Sequence, residues 1–110
     1  NAVRTYEPIT DTDVLDILWR KGIYVLNTVY ITGSSEPDSV VKPVRALKGH
    51  PAILMWVIGN EWNYNMLYSR LTFPQAVDRV RTVARLIKSI DEAHPVASIY
   101  GMVPAAAQLR

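Results

Sequence analysis

The chain has 110 residues, of which 49% are hydrophobic and 20% charged, so it has the size and composition of one folded domain and general disorder is excluded. It contains no cysteine, which excludes a disulfide scaffold, thiol catalysis and cysteine-ligated zinc, and the composition is compatible with an extracellular or periplasmic location. The net charge of +2 and a longest apolar run of seven residues give no sign of a nucleic-acid partner or of a membrane-spanning helix.

The chain begins with a predicted strand at residues 2–6 and a predicted helix at 11–21. Thr10 or Asp11 can cap the helix, because a side-chain oxygen accepts from the free N–H groups of the first turn. Gly22 suits the left-handed position that follows the last turn. These signals predict a strand followed by a helix.

The middle of the chain predicts a second strand at 23–31, a second helix at 38–48 and a third strand at 53–58. Pro43 weakens the helix prediction, since proline removes one backbone donor. The third strand is apolar at every position, as expected of a strand that is covered on both faces.

The last part predicts a helix at 74–93 and a fourth strand at 96–100, and residues 104–110 resemble the start of another helix. Pro74 falls in the first turn of the helix, where a missing N–H costs little, and Pro95 blocks its extension. The basic residues of this helix are predicted to form a solvated face rather than a nucleic-acid patch; they are Arg79, Arg81, Arg85 and Lys88.

Strands that alternate with helices predict an α/β fold with parallel pairing and right-handed crossovers. Four such strands leave two unpaired edges. A (β/α)₈ TIM barrel takes about 250 residues, so we expect residues 1–110 to form about half of one, as a partial TIM-barrel domain. The alternative is a small, complete open-sheet domain.

A dense polar and aromatic cluster directly follows the third strand. In parallel α/β folds, ligands bind at the carboxyl ends of the strands. Glu61 is expected there at the rim of an apolar core, and burial disfavours the charged form of a carboxyl group, which suits a general acid. Asn60 can hold a sugar hydroxyl, and Trp62 and Tyr64 offer flat faces that can stack on a sugar ring. The alternative is an ordinary polar loop.

Other polar residues fall at the two ends of the predicted strands. Arg4, with Tyr6 beside it, lies at a carboxyl end, where it can orient a carboxylate or form a structural ion pair. His50 and His94 precede prolines at the opposite end, where we expect turn or cap roles. No metal-ligand spacing or phosphate-binding loop is present in the sequence, so no metal is expected.

The segment at residues 50–61, HPAILMWVIGNE, resembles the fourth-strand segment of clan A glycoside hydrolases, and most closely the barrel domain of family 2 glycosidases and related β-glucan-active enzymes. Residues 1–6 are similar to the second strand of that barrel. Residues 21–26 and 91–96 are similar to the starts of its third and fifth strands. The resemblance covers about strands two to five.

The resemblance implies a retaining glycoside hydrolase or transglycosylase that acts on a β-glycoside or β-glucan without a cofactor, since two carboxylates suffice for the reaction. By position, Glu61 matches the acid/base, Asn60 the residue that holds the sugar 2-hydroxyl, and Arg4 the arginine that supports the nucleophile. Many family 2 members carry a histidine after that arginine, and here Tyr6 stands nearby. We expect Tyr6, Trp62 and Tyr64 to contact the substrate.

The nucleophile of this family is a glutamate of the seventh strand, which the sequence lacks. Glu7, Glu36 and Glu92 do not match that position. The chain is therefore expected to be an inactive fragment on its own and to need the remainder of the barrel. The alternative is a non-catalytic module that binds carbohydrate or serves as a structural part of a barrel.

Overall fold

The structure, a computed structural model, describes residues 1–108. Its elements alternate along the chain as β1 (Ala2–Arg4), α1 (Thr12–Arg20), β2 (Tyr24–Val29), α2 (Val41–Leu47), β3 (Ile53–Ile58), α3 (Phe73–Ile90) and β4 (Val96–Ser98). The strands form a sheet of order β1-β2-β3-β4, in which every neighbouring pair is parallel. The predicted order of strands and helices and their parallel pairing are confirmed.

Two short 3₁₀ helices were predicted as parts of longer helices. Pro37–Val40 leads directly into α2, so the second predicted helix begins with a tighter turn. Ala106–Gln108 lies where a further helix was expected to start, and residues 109–110 of that prediction lie outside the described residues.

Side-chain caps fix the starts of α1 and α3. Asp11 caps α1, because its Oδ1 accepts from the backbone N–H of Asp13 at 2.8 Å. Thr72 caps α3 in a reciprocal arrangement with Gln75. After α1 the chain turns through Gly22, whose φ of 69° lies in the left-handed region predicted for it.

The core lies between the sheet and the helices. Helix and strand side chains with almost no solvent exposure fill it, among them Leu15, Val44, Trp56, Ile58, Val83 and Ile87. The expectation that β3 is covered on both faces is wrong at Leu54, which is 43% exposed. Leu54 falls at an irregularity of the register, since Val25 pairs with Ile53 and Leu26 with Met55.

Both histidines have structural contacts near the amino-terminal ends of the strands, as predicted. The Nδ1 of His50 accepts from the Ala52 N–H at 3.1 Å. The His94 Nδ1 lies 2.7 Å from Asp91 Oδ2, which also accepts from the Trp56 indole at 2.7 Å. Burial alone would raise the pKa of Asp91, but the hydrogen bonds from Trp56 and His94 outweigh it and hold that pKa below its ordinary value.

Candidate active site

The backbone turns sharply where β3 ends. Gly59 has a φ of 66° and Glu61 a φ of 50°, so both lie in the left-handed region. For glutamate this conformation is uncommon and costs roughly 1–3 kcal/mol, and such residues cluster at functional sites. The Glu61 carbonyl accepts from the N–H groups of Tyr64 at 2.8 Å and Asn65 at 3.0 Å, which closes the turn. Glu61 itself is half-buried.

The side chains of Arg4, at the end of β1, and Asn60, just after β3, meet over the end of β2. The Arg4 Nη1 donates to the Asn60 Oδ1. Since β2 separates β1 from β3, the two side chains together bridge two strand spacings, or roughly 10 Å. The Arg4 guanidinium also lies 5.0 Å from the ring centre of Tyr6, which is 66% exposed. The structure thus brings Arg4, Tyr6 and Asn60 to the sheet edge where Glu61 lies.

Trp62 belongs to the core, which corrects the prediction that its ring offers a face to a sugar. Its side chain is 3% exposed, and its Nε1 donates to the Ser98 hydroxyl at 2.8 Å. Three aromatic rings surround it at centroid distances of 5.4, 5.7 and 4.9 Å; they belong to Tyr68, Phe73 and Tyr100. The turn at Glu61 returns the chain to the core, so almost none of the Trp62 side chain is exposed.

Tyr64 is 63% exposed and keeps a ring surface that a ligand could reach. Two residues beside it, Asn63 and Gly101, were not among the site residues predicted from the sequence. The side chain of Asn63 bonds to the backbone of Gly101 and Met102, in the loop after β4. Gly101 in turn lies against Glu61 and Tyr64. A glycine just beyond a strand end was the available signal, but the approach itself is tertiary.

A second polar network supports the neighbouring loop after β2. Tyr30, with a φ of 54°, accepts at its backbone carbonyl from the Tyr68 hydroxyl at 2.8 Å. Burial is the main reason that the pKa of Tyr68 lies far above its ordinary value. The charge interaction with Tyr30 raises this pKa further, and the interaction with Arg79 lowers it by less. Arg79 donates to the Tyr30 hydroxyl at 3.0 Å and to the Ser35 carbonyl at 3.1 Å. Arg79 therefore anchors a loop rather than belonging to a solvated face.

A hollow of about 160 Å³ lies beside the loop between β3 and α3, and it is lined in part by Trp62, Tyr68, Leu71 and Phe73. Glu61 and Arg4 do not line it, but Asn63 and Tyr64, which follow Glu61 on the same loop, do. Within residues 1–108, no group of three histidine or carboxylate side chains could hold a metal ion. No helix of that same stretch is long and apolar enough to cross a membrane.

Comparison with known proteins gives a family and a set of similar folds. The family model described as glycosyl hydrolases family 2, TIM barrel domain, matches residues 32–108. A β-glucuronidase of Parabacteroides merdae, solved with glycerol in its active site, superposes with a TM-score of 0.71 at 15% identity, over 89% of this chain and 13% of that one. A comparison with curated proteins found no match.

Two further solved structures are similar. A glycosyl hydrolase family 2 member from Bacteroides cellulosilyticus has a TM-score of 0.71 and 21% identity, over 98% of this chain and 15% of that one. A β-glucuronidase of Bacteroides uniformis has a TM-score of 0.65 and 14% identity, over 91% of this chain and 14% of that one. This chain thus spans 13–15% of the length of these proteins.

At these identities the structural likeness shows the fold, and it confirms the expectation of part of a TIM barrel. The family model adds the family, because its match covers more than half of the chain. The same match confirms the family that the resemblance indicated, and it includes residues 50–61 and 91–96. The chain belongs to glycosyl hydrolase family 2, as part of its TIM barrel domain.

Proposed function

We propose that residues 1–110 supply the acid/base side of the active site of a retaining glycoside hydrolase or transglycosylase that acts on β-glycosides. The observation that carries this proposal is the hydrogen bond from Arg4 to Asn60, directly before Glu61 in the sequence. It joins the carboxyl ends of two strands at the edge where ligands bind in TIM barrels. Family membership supports a carbohydrate as the substrate.

In the proposed reaction Glu61 acts twice. Its protonated carboxyl group donates a proton to the glycosidic oxygen while a second carboxylate attacks the anomeric carbon, so the C–O bond to the leaving group breaks and a glycosyl–enzyme bond forms. The Glu61 carboxylate then takes a proton from water or from a sugar hydroxyl. That oxygen attacks the anomeric carbon and releases the nucleophile, with net retention of configuration.

Asn60 and Arg4 are proposed to hold the substrate and the nucleophile. Because the Asn60 Oδ1 accepts from Arg4, Asn60 would offer its Nδ2 donors to the sugar 2-hydroxyl. The remaining N–H groups of Arg4 would bind and orient the attacking carboxylate. The exposed rings of Tyr6 and Tyr64 are proposed sugar contacts.

The nucleophile is proposed to come from outside residues 1–110, in the remainder of the barrel. The two carboxyl groups of a retaining enzyme lie about 5–5.5 Å apart. Glu7 and Glu36 are exposed on loops after β1 and β2, and Glu92 lies at the opposite edge of the sheet, after α3. Residues 1–110 alone are therefore expected to turn over no glycoside.

Glu61→Gln in the full-length protein tests the proposal. We expect it to abolish turnover of alkyl β-glycosides and to leave their binding intact, because the amide keeps the shape but has no transferable proton. The panel should include β-glucuronides, since two of the similar proteins are β-glucuronidases. Glu92→Gln, exposed at the other edge, is the matched control.

Unchanged turnover in Glu61→Gln would remove Glu61 from the mechanism. A wild-type protein that binds the sugars and converts none of them would favour the alternative, a carbohydrate-binding module.

A further inference from the structure

The loop after β4 packs directly on the proposed acid/base. A Cβ added at Gly101 would lie 2.9 Å from the Glu61 Cβ and 2.6 Å from the Tyr64 Cβ, and 3.4 Å from the Glu61 Cα. Carbon atoms in contact are normally 3.5–4.0 Å apart, so only a glycine fits there without displacing a neighbour. The absent side chain of Gly101 is what allows this loop to touch the backbone of Glu61.

Asn63 ties the same loop in place. Its Oδ1 accepts from the Gly101 N–H at 2.8 Å and from the Met102 N–H at 3.3 Å, and its Nδ2 donates to the Met102 carbonyl at 2.8 Å. Tyr100, the residue before Gly101, packs on the Trp62 ring. The loop is therefore anchored on both sides of Gly101, and it cannot move away freely from Glu61.

We propose that Gly101 and Asn63 are positioning residues that set the place of Glu61 relative to the bond it protonates. The inference rests on the proposed function of Glu61. A general acid must come within about 2.6–3.2 Å of the oxygen it protonates, and a misplacement of about 1 Å costs roughly a hundredfold in rate. Pressure from an added methyl group at Gly101 would move Glu61 by a distance of that order.

The test compares two glycosides of one sugar in the full-length protein. An alkyl leaving group needs protonation by Glu61, whereas a dinitrophenyl leaving group departs as a stable anion. We expect Gly101→Ala to lower kcat/KM, which reports the first step in which the glycosidic bond breaks, roughly a hundredfold for the alkyl glycoside and less than about threefold for the dinitrophenyl glycoside. A merely structural role would lower both rates together, or the melting temperature alone.

Gly49→Ala is the matched control, because a Cβ at Gly49 meets nothing within 4 Å and Gly49 lies at the opposite end of β3 from Glu61. It should leave both rates unchanged. Asn63→Ala removes the three hydrogen bonds without adding atoms, so it carries the test if Gly101→Ala does not fold. It should show the same selectivity.

Glu61→Gln separates the two failures. If that variant shows no selective loss on the alkyl glycoside, the proposed function is wrong, and the inference falls with it. If Glu61→Gln is selective while Gly101→Ala affects both glycosides equally, or neither, the positioning role is wrong and the proposed function stands.

Discussion

The indole of Trp62 donates to the hydroxyl of Ser98 at 2.8 Å, and that hydroxyl donates in turn to the carbonyl of Ile58 at 2.9 Å. The relay joins the loop after β3 to β4 and then returns to the end of β3. Because every member is half-buried or buried, each lost partner would leave an unsatisfied polar group. The residue that follows the proposed acid/base Glu61, Trp62, is therefore held in place by hydrogen bonds to the sheet.

Trp62 should matter for stability rather than for sugar affinity. Trp62→Ala is expected to lower the free energy of unfolding by about 3–5 kcal/mol, because it removes a large, buried aromatic side chain. Tyr64→Ala, at a ring that is 63% exposed, should cost less than about 1 kcal/mol and should weaken substrate binding instead. Calorimetry and sugar titration of the full-length variants measure both. A stable Trp62→Ala protein with weakened sugar binding would restore the stacking role.

Alanine substitutions at Gly59 and Gly22 should distinguish the cost of backbone strain from the cost of a steric clash. Both have φ near +70°, at 66° and 69°, so an alanine is strained at either by about 1–2 kcal/mol. A Cβ at Gly59 would also lie 3.1 Å from the Tyr68 hydroxyl and 3.2 Å from the Trp62 ring, whereas a Cβ at Gly22 meets nothing within 4 Å. Gly59→Ala should therefore lower the melting temperature more than Gly22→Ala. Equal shifts would show that the ring contacts relax at no cost.

Asp91 should contribute a pH-dependent part of the stability. Its pKa is lowered in the folded state, so the carboxylate stabilises the fold above the pKa of about 3.9 that an unfolded aspartate has, and this contribution is lost as the pH falls through the lowered folded-state pKa. Asp91→Asn removes the titrating group but keeps an oxygen that can accept from Trp56. Melting temperatures of both proteins should be measured between pH 2 and 7, in steps on the order of half a pH unit. The difference between the two melting temperatures should shrink toward the acid end. Parallel curves would contradict the assignment.

Arg4→Lys should lower activity with little effect on folding. A lysine keeps the charge, but its single ammonium group cannot bind Asn60 and a carboxylate with the fixed fork of a guanidinium. On the proposed function, we expect kcat/KM to fall about tenfold or more. Arg81→Lys, exposed on α3 and 3.4 Å from Asp78, is the control and should be neutral. Full activity in Arg4→Lys would leave Arg4 only its structural bond to Asn60.

The order of elements and the position of Arg4 and Asn60 at one edge of the sheet could be predicted, because both follow from local periodicity and from the rule that parallel strands end at a common edge. The direction of Trp62 could not. It depends on the left-handed backbone at Glu61, which the letters Gly-Asn-Glu-Trp do not reveal. Gly101 was missed for another reason: its contact with Glu61 joins residues that are distant in the sequence.

The left-handed conformation of Glu61 means that thermal stability and catalysis favour different residues at this position. Asparagine adopts this backbone more readily than glutamate, so Glu61→Asn should melt at a higher temperature than the wild-type protein while it loses its proton donor. Selection for thermal stability alone would thus favour variants in which Glu61 is replaced and the proton donor is lost. A screen of such variants should be paired with an assay of turnover from its first round.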